Sequence, residues 1–219
     1  MEYGNIEDRY DYTKSRRSIP VMTILFAGIN IFIWILLELS GDTTDAYFMA
    51  ERGAAYSPFI IEDHEWWRLF TCTFLHFGAE HLMNNVLMLV VLGMRLEHAI
   101  GKLGFSILYL SSGLSGSLLS LWAEVKFDDL GVTAGASGSV FGIVGGLVAL
   151  AVWNRGKVEG LTTIELLFLL GFSLFFGFVE GGVDNWGHIG GILGGLVVGS
   201  ILAILKKIDF MNKSKYTIE

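Results

Sequence analysis

Residues 186–205 read WGHIGGILGGLVVGSILAIL, and residues 135–153 read GASGSVFGIVGGLVALAVW. Both are apolar runs near the ~20 residues that cross the ~30 Å hydrocarbon core of a bilayer. Each carries, at its start, a side chain that lipid penalises: His188 in one, Ser137 in the other. Gly187, Gly191, Gly195 and Gly199 recur every four residues and share one face of a helix. Gly138, Gly142 and Gly146 make a matching face on the other run. Lipid gives helices no hydrophobic drive to associate, so bare faces that let two backbones approach become the adhesive surface. The two runs are expected to pack on each other and to bring a hydroxyl and an imidazole to one depth.

The rest of the chain agrees with a polytopic membrane protein. Of 219 residues, 53% are hydrophobic and only 17% charged, with 28 glycines and 2 prolines, and the mean hydropathy is +0.56. Soluble domains carry about a quarter charged residues. Six apolar segments can be marked: about Pro20–Leu37, from Glu80 to Leu96, Leu103–Ala123, Ser137–Trp153, Thr163–Val179 and Trp186–Leu205. The expected fold is all-α, a bundle of six transmembrane helices over residues 19–207. Polar tails at 1–18 and 208–219 flank it. The polar first 18 residues and the length of the run that follows do not fit a cleavable signal peptide.

Charge sets the expected orientation. Lys14, Arg16, Arg17, Arg95, Lys102, Arg155, Lys157, Lys206 and Lys207 fall on one side of such a bundle. The other side holds Arg52, Arg68 and Lys126 among many acids, including Glu62, Asp63, Glu65, Glu124, Asp128, Asp129 and Asp184. The basic side is cytoplasmic by the positive-inside rule, which puts both termini there, as an even number of spans requires. The loop from Ser40 to Thr73 carries Phe48, Tyr56, Phe59, Trp66 and Trp67. It is expected to lie partly in the outer interface, with the two tryptophans at headgroup level. Cys72 is the only cysteine, which excludes an internal disulfide and marks it as a small buried hydrophobe. The net charge of −7 gives no reason to expect a nucleic-acid partner.

Ser137 and His188 both sit at the outer ends of their helices. A serine hydroxyl attacks well only when a base takes its proton, and imidazole is the usual base. Backbone N–H groups at the start of the Ser137 helix are free to bind an oxyanion, and Gly135 and Gly138 permit the tight turn this needs. His81 and Asn85, four residues apart, share a face of the second segment. An imidazole and an amide aimed at one point are suitable oxyanion donors. Simpler readings stand beside these. A small serine in a glycine-rich helix can be a packing contact, and His188 a buried histidine or ion ligand. His81 and Asn85 can serve as an interhelical hydrogen bond. His76 reads as a packing and hydrogen-bonding group. Asp184 reads as a cap for the last helix rather than a third catalytic member, which leaves a Ser-His dyad. The five histidines show no metal-ligand spacing, and no cofactor is expected. A hydrolase is the first reading. A helix-binding adaptor and a small transporter are the alternatives, the latter weakened by the lack of an internal repeat.

Trp67-Arg68, His76 with His81-x-x-x-Asn85, Gly135-x-Ser137-Gly138, and His188 with Gly191 and Gly195 together resemble the rhomboid family of intramembrane serine proteases. The resemblance covers most of the chain from Trp67 to Gly199. It implies a six-helix core with Ser137 as nucleophile and His188 as general base. It also implies an oxyanion site of His81, Asn85 and the backbone at Ala136, a cavity open to outside water, and Arg68 as an organiser of the first loop. Its implied partners are transmembrane protein substrates reaching the site beside the second and fifth helices, and the lipid bilayer. The implied location is a cell membrane, a bacterial plasma membrane being the expected one. Many family members have tyrosine four residues after the nucleophile. Phe141 stands there, able to stack on His188 but without a hydroxyl.

Overall fold

The structure, a computed structural model, describes residues 19–180 and 182–216, so the expected N-terminal tail at 1–18 lies outside the described residues. The fold is all-α. Its long helices are α1 (Val21–Glu38), α5 (Gly78–Phe127), α6 (Ser137–Trp153), α7 (Thr163–Glu180) and α8 (Asn185–Tyr216). Three short helices, α2 (Ala46–Glu51), α3 (Ser57–Ile61) and α4 (Arg68–Thr71), fill the first loop.

The second and third expected segments emerge as one element. α5 runs 50 residues with a single break at Gly101 (φ 80, ψ 170). That left-handed backbone suits glycine, which has no Cβ to clash, and one residue suffices to reverse the chain. α8 also continues past the expected end at Leu205, and its helical backbone carries the expected C-terminal tail as far as Tyr216. By length and apolarity, Val21–Glu38 and Asn185–Leu205 are long enough to cross a membrane. Ser137–Trp153 and Thr163–Val179 are apolar but shorter, and α5 holds more polar side chains in both halves, such as Asn84, Asn85 and Glu97 in the first and Ser111, Ser112, Ser115 and Ser120 in the second. Six spans therefore do not follow from that measure alone. Large apolar side chains face outward along the long helices, among them Phe32, Leu36, Leu87, Phe168, Phe172, Phe175 and Val197. So continuous an apolar exterior fits a membrane location.

The glycine faces meet as their spacing predicts. A Cβ on Gly191 would lie 3.0 Å from Gly138 Cα, one on Gly195 2.7 Å from Gly142 Cα, and one on Gly199 2.9 Å from Gly146 Cα. The second half of α5 joins this seam. A Cβ on Gly116 would lie 2.7 Å from the Gly187 carbonyl oxygen, and one on Gly190 2.5 Å from that of Ser115. Backbone contact along three helices leaves little freedom for α6 to slide against α8.

α1 is attached by polar groups that its own apolar pattern does not reveal. Glu97, on α5 and buried, accepts from Met22 N (3.1 Å), Thr23 N (2.8 Å) and Thr23 Oγ1 (2.8 Å). It caps the start of α1 from a neighbouring helix, satisfying N–H groups that have no intrahelical partner. Farther along, Phe26 stacks on the fully buried Tyr109 at 4.3 Å, and Asn30 Nδ2 donates to Tyr109 OH (3.2 Å).

At the site end, β1 (Ala55–Tyr56) pairs antiparallel with β2 (Val132–Thr133), tying the first loop to the segment before Ser137. At the far end of α6, β3 (Lys157–Val158) and β4 (Leu161–Thr162) form a small hairpin. It is held where Arg95 donates to the Glu159 carbonyl (2.7 Å).

Because main-chain atoms stand opposite Gly195, Gly195→Ala is expected to lower stability by about 1–3 kcal/mol through overpacking. Gly171→Ala, where nothing lies within 4 Å of the new carbon, serves as control. Thermal unfolding in detergent checks this, and equal midpoints for the two variants would contradict the close-packed seam.

Candidate active site

α6 begins in a segment braced from two directions. Gly135 N donates to the Cys72 carbonyl (2.9 Å), and Ala136 N donates to His76 Nε2 (3.2 Å). His76 is fully buried. Its accepting Nε2 carries no proton, so its hydrogen is on Nδ1. Gly135 has φ 148, and a Cβ there would fall 2.8 Å from His81 Cε1. Only bare backbone lets the His81 ring lie so close. His76 and His81 meet edge to face at 5.3 Å between ring centroids.

Ser137 is the first residue of α6 and half-buried. At this position its N–H has no intrahelical acceptor. Ser139, two residues on and so on a different face of the helix, points into the core and donates to the Tyr109 carbonyl (2.8 Å). The N–H of Ala136, the expected backbone donor, is given to His76 in this structure, and the N–H of Ser137 beside it is a second backbone donor at this turn.

His188 lies in the first turn of α8 and is 8% exposed. Its ring stacks on Phe141 with centroids 4.0 Å apart and planes 20° from parallel. The phenyl ring, one turn along α6 from Ser137, fixes the plane of the imidazole without a hydroxyl. His188 Nδ1 is buried with no hydrogen-bond partner among the described residues.

Ser137, His188, Phe141, His81 and Asn85 all line one cavity of about 990 Å³. No hydrogen bond joins Ser137 to His188 among the described residues. Catalytic hydrogen bonds are often long without substrate and tighten when it binds. Asn85 is buried, and its Nδ2 donates to the His81 carbonyl (3.0 Å), leaving its second amide hydrogen for another acceptor. Asn84, also on the cavity wall, faces outward on the same helix.

The cavity reaches between α5, at Asn84 and Met88, and α7, at Leu169, Ser173 and Phe176. Its other rim carries Glu124, Asp129 and Asp184, with no lysine or arginine among the described residues of the wall. Glu124 and Asp184 are both raised chiefly by burial, Glu124 to about 7. No group of His, Cys, Asp and Glu among the described residues is placed to hold a metal ion.

Arg68 organises the first loop. It donates to the carbonyls of Ala50 and Ala54 (3.0 Å to the latter) and pairs with Glu65 (2.5 Å). Its guanidinium lies over the rings of Phe59 (4.6 Å) and Trp67 (4.7 Å). Trp66 and Trp67 are exposed. The load-sharing of His76 with Ala136 was not legible in the sequence, because that bond joins residues 60 apart. Its residue type and its position five before His81 were the only signal.

Removing the His76 acceptor leaves a buried Ala136 N–H unpaired, at a cost of about 1–3 kcal/mol. His76→Ala is expected to lower the unfolding midpoint accordingly in a detergent melt. A midpoint equal to the parent's would show that the brace contributes nothing.

The Rhomboid domain family model matches residues 63–204. Over 187 residues the chain is 35% identical to rhomboid protease GluP of Bacillus subtilis, covering 85% of this chain and 36% of that protein. It is 34% identical over 167 residues to RHOMBOID-like protein 1 of Arabidopsis thaliana, covering 75% of this chain and 42% of that protein. It is 27% identical over 191 residues to putative rhomboid protease YdcA of Bacillus subtilis, covering 87% and 92%. The chain thus spans less than half the length of the first two relatives and most of the third. With the family model spanning the nucleophile segment, the cavity and the glycine seam, the chain belongs to the rhomboid family.

Proposed function

We propose that the chain is an intramembrane serine endopeptidase that hydrolyses peptide bonds in or near transmembrane segments of other proteins. The observation that carries this reading is that Ser137 and a stacked His188 line the same cavity. Relatives named as rhomboid proteases support it. In the proposed cycle His188 takes the Ser137 proton as Oγ attacks the scissile carbonyl. The resulting oxyanion accepts hydrogen bonds from the Ser137 N–H, His81 and the free Asn85 amide hydrogen. The protonated His188 then donates to the leaving amine, and water entering the cavity hydrolyses the acyl-enzyme through the same base. Gly138, Gly191 and Gly195 act by holding α6 against α8, and Arg68 by shaping the loop that carries Cys72 and His76.

The core crosses the membrane six times with both termini cytoplasmic, so that the cavity opens outward. A substrate helix approaches between the second and fifth spans, where the cavity reaches α7. A stable helix shields its peptide bonds, so glycine or other helix-weakening residues near the cut favour cleavage, with a small side chain before the scissile bond. The tested comparison is cleavage of a single-span protein in detergent by the parent and by Ser137→Ala. Cleavage is expected to vanish in the variant, with fluorophosphonate labelling of Ser137 lost in His188→Ala. Equal cleavage by parent and Ser137→Ala would end the assignment.

The acidic rim disfavours acidic sequence flanking the cut. Substrates differing only in flank charge are expected to be cut faster when basic than when acidic, by a ratio that shrinks at high salt. Equal rates at low salt would refute the electrostatic preference.

A further inference from the structure

We propose that Asp184 is the positioning residue for His188, acting by capping α8 rather than by pairing with the imidazole. This rests on the reading of His188 as the base. Asp184 Oδ1 accepts from Gly187 N (2.7 Å), and the Asp184 carbonyl accepts from His188 N (3.1 Å). The N–H groups of His188 and of the residue before it therefore both end on Asp184. Ser120, on α5, approaches the same carboxyl. Asn185, the next residue, donates from Nδ2 to the Gly177 carbonyl on α7 (3.0 Å). The first turn of α8 is thereby held from both neighbouring helices at the height of the imidazole.

A Cβ on Gly187 would lie 2.7 Å from Asp184 Cγ, the end of a flexible side chain that can turn aside at little cost. His188 Nδ1 has no partner among the described residues, which separates this role from that of a third catalytic acid. Asp184 acts through the main chain. It sets how far along and around α8 the ring projects toward Ser137, while Phe141 sets its plane.

The test uses the full chain in detergent at temperatures below unfolding. It compares the parent with Asp184→Ala and Asp184→Asn. For cleavage of a single-span substrate, Asp184→Ala is expected to lower kcat roughly 5- to 10-fold with KM unchanged, the size of a lost cap. Asparagine caps as well as aspartate, so Asp184→Asn should stay within about 2-fold of the parent. Parent-like kcat in Asp184→Ala, or an Asp184→Asn as slow as Asp184→Ala, would overturn the proposal. Amide exchange at Gly187 and His188 reads the cap without substrate. It should quicken in Asp184→Ala and hold in Asp184→Asn, and no change in Asp184→Ala overturns the cap. Cleavage by Ser137→Ala at the parent rate would instead strike the dyad reading and leave the exchange result standing.

Discussion

Everything at the site depends on backbone touching backbone between α6 and α8. Gly191 over Gly138 and Gly195 over Gly142 bring the two helices so close that a side chain on Gly191 or Gly195 would meet the main chain of α6. In a membrane this contact substitutes for the hydrophobic drive that water would otherwise supply. It also has a geometric consequence. Two rigid rods pressed together over several turns have one relative height, and that height puts the first turn of α8 beside the first turns of α6. Phe141 then meets the His188 ring face to face.

The first loop supplies the opposing brace. It is not a slack connection but a packed unit built around Arg68, whose donors and ring contacts draw α2, α3 and α4 together. From this unit the Cys72 carbonyl holds Gly135, His76 holds Ala136, and β1 pairs with β2. Three successive attachments immediately before Ser137 leave the nucleophile little conformational choice. α7 is placed differently. It meets the cavity with Leu169, Ser173 and Phe176 while a row of phenylalanines faces outward, and Asn185 ties it to α8 at the Gly177 carbonyl.

Much of this was legible in the chain itself. The period-four glycines at Gly187–Gly199 and Gly138–Gly146 encode both the faces and their partner, because few other surfaces permit such an approach. The i,i+4 spacing of His81 and Asn85 put them on one face, and the start of α6 at Ser137 followed from the glycine-rich turn before it. What stayed hidden depends on groups distant in sequence. Glu97 capping α1 and His76 binding Ala136 join residues brought together only by the finished fold. The break at Gly101 falls in the gap between the segments expected to end at Leu96 and to start at Leu103, where Glu97, His98 and Lys102 interrupt the apolar pattern; that a single left-handed glycine makes it left no signature in composition.

An alcohol and an imidazole on these two helices are proposed to serve one reaction, and an experimental structure of the protein phosphonylated at its reactive serine is the decisive measurement. Phosphorus is expected on Ser137 Oγ, its oxygen held by the Ser137 N–H, His81 and Asn85, with the His188 ring still stacked on Phe141 within reach of the adduct. A phosphorus atom on a different side chain, or an oxygen pointing away from His81 with His188 out of reach, would contradict the proposal.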